Sequence, residues 1–377
     1  MAIKNEREPT LAVKSPRREQ LIVAFSRVWA WMFLGGLIVF FAVSVNVQSG
    51  GDVNFLTIRN SQNILMAIVP VLLMGLGQTL VVIGAGIDLS VGWVMGLASV
   101  VSALVIVALI EQGTFESVAI TIGCLAGIFA AMIPGFFNGI IIAKLRIPSF
   151  IVTLGMSFIA RGVAFLLSGG NVVGSQPQGV RNLGNEALFY LISGENGGFY
   201  FLRPPIVSGE ALRRMDRIFQ WPVVIAFVLL LIVLFVLHKT QFGRHIYAIG
   251  GNREAALRAG IPVDRHLIVL YTLSAATAGV AGVLTTARFS GGSSIAGDPL
   301  LLSSIAAVII GGASMYGGYG SVSGTLIGAL IIAVMTTGLV MLNVQPFWQY
   351  IVVGVIVILA VLIDQARDLI IGRMETG

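Results

Sequence analysis

Long apolar runs alternate with shorter polar stretches along the whole chain. The apolar runs cover approximately 28–47, 62–83, 88–110, 117–143, 149–168, 221–238, 266–287, 299–313, 321–342 and 347–371. A bilayer core about 30 Å thick takes about 20 helical residues to cross, so each run predicts a spanning helix. The expected fold is an all-α polytopic membrane protein of about ten transmembrane helices, some of them broken. On this reading 1–27 is a polar N-terminal tail, 28–372 a single transmembrane domain and 373–377 a C-terminal tail. Two polar interruptions are longer than a turn, 169–220 and 239–266.

The second interruption carries its own punctuation. Over 240–266 the chain reads TQFGRHIYAIGGNREAALRAGIPVDRH. Asn252 is placed to cap a helix, and Glu254 puts a negative charge in the first turn. Ala255, Ala256 and Leu257 favour helix, Arg258 lies near its negative end, and Gly260 and Pro262 stop it. The spacing predicts about two turns over Asn252–Ala259, too short to hold in water without packing. The helix is either an ordinary surface helix of a membrane loop or a contact for a partner.

Two glycine-rich stretches interrupt the apolar pattern at membrane depth. Gly84 to Gly92 reads GAGIDLSVG and Gly311 to Gly324 reads GGASMYGGYGSVSG. Non-helical backbone at that depth is tolerated where protein buries it or a wet cavity borders it, so both are candidate helix breaks near a pathway. A carboxylate there is costly unless paired or hydrated, which singles out Asp88. With Ser90 it suits capping of the helix that follows, a role compatible with lining a pathway. Asn138, Phe150, Thr153 and Ser157 lie in or beside neighbouring spans and are further pathway candidates, although intramembrane polar groups commonly just bond between helices. Glycine pairs four apart, such as Gly92 with Gly96 and Gly135 with Gly139, suit close helix packing.

Composition agrees with a membrane protein. The chain is 56% hydrophobic and 11% charged with mean hydropathy +0.95, where a soluble domain is about a quarter charged. The net charge of +6 is scattered between apolar runs, which argues against nucleic acid as a partner. With the N-terminus inside, the inner segments hold fifteen of the 23 Lys and Arg, among them Lys4, Arg18, Lys144, Arg146, Arg244, Arg258, Arg367 and Arg373. The positive-inside rule therefore puts both termini and the 239–266 loop in the cytoplasm, and 169–220 outside as either an inconsequential insertion or a docking surface.

Several chemistries are missing. The single cysteine, Cys124, forms no intrachain disulfide, and the three histidines lie in or beside the 239–266 loop, so no metal site is expected. No lysine is preceded by glycine, which rules out a GxxxxGK[ST] phosphate loop; HExxH and GxSxG are absent too. No catalytic residue is expected, and the few intramembrane carboxylates equip a proton relay poorly.

Four segments in order, IDLSVG at 87–92, IPSFIVTLG at 147–155, FGRHIYAIGGNREAALRAGI at 242–261 and FWQYIVVGVIVILAVLID at 347–364, resemble permeases of bacterial ABC importers for ribose, xylose, fructose and galactose. The resemblance implies a permease bundle in the inner membrane. Its implied partners are a cytoplasmic ATPase that uses ATP and Mg, a periplasmic sugar-binding protein and a second permease copy, most simply an identical one. It implies that the short helix, with Gly243, Arg244, Asn252, Arg253, Glu254, Ala255 and Gly260, couples the permease to the ATPase. The competing expectations are an ion-coupled sugar transporter working alone and a membrane scaffold without transport.

Overall fold

The computed structural model describes residues 17–192, 197–205, 214–345, 347–355 and 358–359, with side chains from residue 30 onward. The C-terminal tail 373–377, most of the expected span 347–371, Lys4, Lys14, Arg367 and Arg373 lie outside the described residues.

The helices are α1 (Arg17–Gln48), α2 (Ile58–Ile83), α3 (Val91–Glu111), α4 (Glu116–Leu145), α5 (Ser149–Ser168) and α6 (Gln178–Asn185). After three strands follow α7 (Trp221–Lys239), α8 (Gln241–Gly251), α9 (Arg253–Arg258), α10 (Val263–Phe289), α11 (Leu301–Ile310) and α12 (Val322–Met341). The last part of the polar N-terminal tail, from Arg17, is helical and continuous with the first span. Among the described residues eight helices are long and apolar enough to cross a bilayer: the Ala30–Gln48 part of α1, then α2, α3, α4, α5, α7, α10 and α12.

The expected span 299–313 is not a full span. Its helix, α11, has ten residues, about 15 Å at 1.5 Å per residue and half of a bilayer core. A 3-10 turn, Asp298–Leu300, leads into it, and non-helical chain with turns over 294–297 covers the remaining depth. Residues 290–297 run down the side of α3: a Cβ on Gly292 would touch Ser99 and Ala103, one on Gly96 would overlap the Ser294 carbonyl, and one on Gly92 would press on the Gly297 carbonyl. The segment is tied at its start by the Val173–Gly292 bridge and by the Ser293 N–H donating to Ser99 Oγ at 3.0 Å. Irregular chain followed by a half-helix thus forms one discontinuous crossing packed against α3, as non-helical backbone at membrane depth requires protein or a wet cavity beside it.

Small residues set the helix spacing in the rest of the bundle. Hydrocarbon gives little drive for one apolar helix to leave lipid for another, so close backbone approach supplies the contact. Gly127 of α4 meets Ala98 and Ser102 of α3, while Gly135 and Gly139 meet Tyr271 and Ile268 of α10. Gly328 of α12 lies on the Ala307 backbone of α11. Here α10 is the central helix, packed on α2, α3 and α4.

The 169–220 segment has structure of its own. Helix α6 packs on α10, where a Cβ on Gly184 would overlap Ala287. Strands β1 (Ala187–Ile192), β2 (Gly198–Phe201) and β3 (Met215–Gln220) form an antiparallel sheet in the order β2-β1-β3. Phe189 stands opposite Phe201 on one side and Ile218 on the other, and its ring stacks on Phe199 with centroids 5.3 Å apart. Tyr190 is buried below the sheet, where the loss of water raises its phenol pKa above the ordinary value. An Arg59–Asp216 ion pair at 3.8 Å ties β3 to the first turn of α2.

Candidate functional site

Two places draw the candidate residues together: the break between α2 and α3, and the paired helices α8 and α9 at the same end of the bundle.

Residues 84–90 leave the helical path, with Ala85 at φ 60, before α3 begins at Val91. Asp88 is fully buried there and is the hub of the break. Its Oδ1 accepts from the Ser90 N–H at 3.0 Å and the Ser90 hydroxyl at 2.6 Å, and its Oδ2 accepts from Ser274 Oγ at 3.0 Å. Three donors on one carboxylate supply the partners that burial otherwise removes. Around this hub the α4 residue Asn138 donates to Ser90 Oγ at 3.0 Å, and Gln78 of α2 donates to the Asp88 carbonyl. From α5, Ser149 Oγ accepts the Ile87 N–H and Thr153 Oγ1 accepts the Leu89 N–H, each at 3.1 Å. Four helices, α2, α4, α5 and α10, therefore pin seven residues of irregular backbone. Asn138 Oδ1 and Gln78 Oε1 are buried in the same region without a protein partner, the kind of acceptor an ordered water or a cargo hydroxyl satisfies.

Asp88, Ser90, Asn138 and Thr153 thus come together, while two further candidates do not join them. Phe150 is 51% exposed on the outward face of α5, and Ser157 bonds back to the Leu154 carbonyl of its own helix at 2.6 Å. Both are members of a helix of which only a minor share is buried, so its outward face takes whatever α5 meets outside this chain. Ser149, Gln78 and Ser274 belong to the site although no local pattern marks them. Their partners lie 10, 62 and 186 positions away in the chain for Gln78, Ser149 and Ser274.

At the second place Thr240 caps α8 by accepting the Gly243 N–H at 3.3 Å, and Asn252 ends α8 and begins α9. Its backbone N–H reaches the Ala248 carbonyl, while its side chain accepts the Ala255 N–H at 2.9 Å. Gly260 takes φ +79 after the last turn, a conformation that favours glycine. The expected helix over Asn252–Ala259 is observed as Arg253–Arg258 with those two residues as its caps. The preceding helix α8 is an addition to the sequence reading. Gly243 is buried against Leu237, and Arg244 is exposed.

Only Ala256 anchors α9, in a small apolar cluster with Ala143, Ile249, Val263 and Leu267. Glu254 and Arg258 pair at 3.4 Å on the open face, each 83% exposed, a bond worth about a few tenths of a kcal/mol. Arg253 reaches Asp264 at 3.8 Å. The helix is therefore held by its caps, one methyl group and the Arg253–Asp264 pair, and otherwise presents Glu254, Ala255, Leu257 and Arg258 outward. Beside it His245 and His266 are hydrogen-bonded at 3.0 Å, and Phe242 stacks on His266 with centroids 5.4 Å apart. No group of three or more metal-ligating side chains occurs among the described residues.

The chain is similar to known proteins over most of its length. Residues 60–361 match the family described as branched-chain amino acid transport system / permease component. The fructose import permease protein of Rhizobium meliloti is 36% identical over 305 residues, which are 80% of this chain and 76% of the relative. The ribose import permease protein of Escherichia coli K12 is 35% identical over 342 residues, 90% of this chain and 96% of the relative. The xylose transport system permease protein of Haemophilus influenzae is 34% identical over 364 residues, 88% of this chain and 94% of the relative. No solved structure matches the chain.

Proposed function

The chain belongs to the family of branched-chain amino acid transport system permease components, and from that premise we propose that it is the membrane permease subunit of an ATP-binding-cassette importer for a monosaccharide. It is a multi-pass membrane protein and a transporter component. The observation that carries the sugar reading is the near end-to-end similarity to permeases named for ribose, fructose and xylose. The family description names amino acids, but the individual relatives are sugar permeases, so a sugar of similar size is the better cargo.

The mechanism follows from the two places described above. A cytoplasmic ATPase subunit binds α9 and uses ATP and Mg, while this chain holds no cofactor and performs no catalysis. The absence of a phosphate loop and the exposed, self-capped form of α9 both support this division of labour. A periplasmic sugar-binding protein delivers the cargo at the opposite end of the bundle, the end that carries the sheet. Two copies of the chain face each other, which would cover the outward face of α5. Closure of the ATPases pushes α9, and the pathway opens alternately to either side past the break at Asp88. Selection by the binding protein leaves the membrane cavity free to bind sugar weakly. The setting is the bacterial inner membrane with both termini cytoplasmic, an orientation supported by the distribution of basic residues.

The test is reconstitution in vesicles, with and without the ATPase and the binding protein, using radiolabelled ribose, fructose and xylose. Uptake that requires ATP and all three components supports the reading. Uptake by this chain alone, driven by a proton or sodium gradient, would replace it with an ion-coupled transporter.

A further inference from the structure

Helix α9 has no direct hydrogen bond to the break at Asp88, yet a contiguous backbone junction lies between them. Immediately before the Asn252 cap, Gly250 of α8 sits so close to α2 that a Cβ would overlap the Ile83 carbonyl, and the Gly318 N–H lies on the same side. That N–H donates to the Ile83 carbonyl at 2.8 Å. Gly317, at φ +87, is pressed between Ala85 and the Gly250 carbonyl; Gly318, at φ +73, follows it. Two residues further on, Tyr247 Oη donates to the Gly320 carbonyl at 2.7 Å. Three segments therefore meet backbone to backbone: the end of α2, the end of α8 and the 311–320 loop. The first opens directly into the Asp88 break, the second into α9, and the third joins the half-helix α11 to α12.

Resting on the importer reading above, we propose that the Ile83, Gly250 and Gly317–Gly318 junction, held by Tyr247, is the joint that passes movement of α9 to both interruptions of the membrane helices. Side chains would cushion a displacement by changing rotamer. Backbone in direct contact leaves no side chain to do so, and a close-packed contact of low compressibility transmits the displacement. The 311–320 loop is then a positioning element, and its glycines are required by the close approach.

The test uses the complete complex with ATPase and binding protein in vesicles, and reads radiolabelled sugar moved per ATP hydrolysed. Tyr247→Phe removes one hydrogen bond and keeps the ring. Gly250→Ala forces the junction apart. Gly251→Ala is the control, because its Cβ would meet nothing within 4 Å. Residues along a coupling network change coupling by a factor of about 2 to 30, so Tyr247→Phe and Gly250→Ala should lower sugar per ATP by that factor while the ATPase stays bound and active. Gly251→Ala should match the parent. A merely structural role would lower uptake and hydrolysis together, in proportion to folded complex. An unchanged ratio in Tyr247→Phe overturns the proposal even if Gly250→Ala fails to fold. A parent complex without ATP-driven uptake would instead refute the importer reading beneath it.

Discussion

Replacing Asp88 by alanine removes the acceptor for three buried donors at once. The two serine hydroxyls can turn towards other acceptors, each losing roughly 0.5–1.5 kcal/mol. The Ser90 N–H cannot turn, and an orphaned buried donor costs roughly 1–3 kcal/mol. The expected loss is therefore roughly 2–6 kcal/mol. Asp88→Asn is the informative comparison. Its amide oxygen can keep both Ser90 bonds at Oδ1, and Ser274 can turn to accept from the new NH2, so the loss should stay near about 1 kcal/mol. The assay is the unfolding midpoint of the purified protein in one detergent, with uptake normalised to folded protein. Alanine should lower the midpoint markedly and asparagine slightly. An alanine variant as stable as the parent would refute the hub described here. An asparagine variant of parental stability but without uptake would show that the charge acts on the pathway instead.

Other expectations follow from single contacts. Asn252→Ala removes the side-chain cap of α9 while keeping the backbone bond to α8, and should weaken α9 by about 1 kcal/mol, seen as faster amide exchange over 253–258 with the bundle unchanged. Glu254→Arg should leave the chain inserted but lower its retention of the ATPase; wild-type retention and uptake would remove Glu254 from the contact. Gly139→Ala brings a Cβ to 2.5 Å from Ile268 Cα and should destabilise by roughly 1–3 kcal/mol, whereas Gly155→Ala, with nothing within 4 Å, should not, as thermal melts would show.

What the sequence disclosed and what it hid divide along the range of the interactions. The caps of α9 are local chemistry, so Asn252, Gly260 and Pro262 predicted it nearly to the residue. The Asp88–Ser90 pair is equally local. Ser274, which completes the Asp88 site, lies 186 positions away and carries no signal of its own. The discontinuous crossing was hidden for a similar reason. Residues 290–297 contain Gly291, Gly292 and Gly297, which read as a turn, and only their fit against Gly92 and Gly96 shows that they descend into the bundle. Helix α8 was obscured by Gly243, Gly250 and Gly251. Each glycine costs a helix about 1 kcal/mol relative to alanine, but two of them are needed for contact with Leu237 and Ile83. Phe150 lies apart from the Asp88 cluster, and the sequence does not show this because inward and outward positions are both apolar in a membrane helix. The pattern alone does not tell one face of α5 from another.

The central claim is that this permease works with a separate ATPase, and purification from the native host in mild detergent tests it most directly. Mass spectrometry of what accompanies the chain should find an ATPase carrying a phosphate loop, and the Glu254→Arg chain should carry less of it. A chain that purifies without any ATPase, under conditions that hold other importer complexes together, would contradict the account and leave α9 a surface helix.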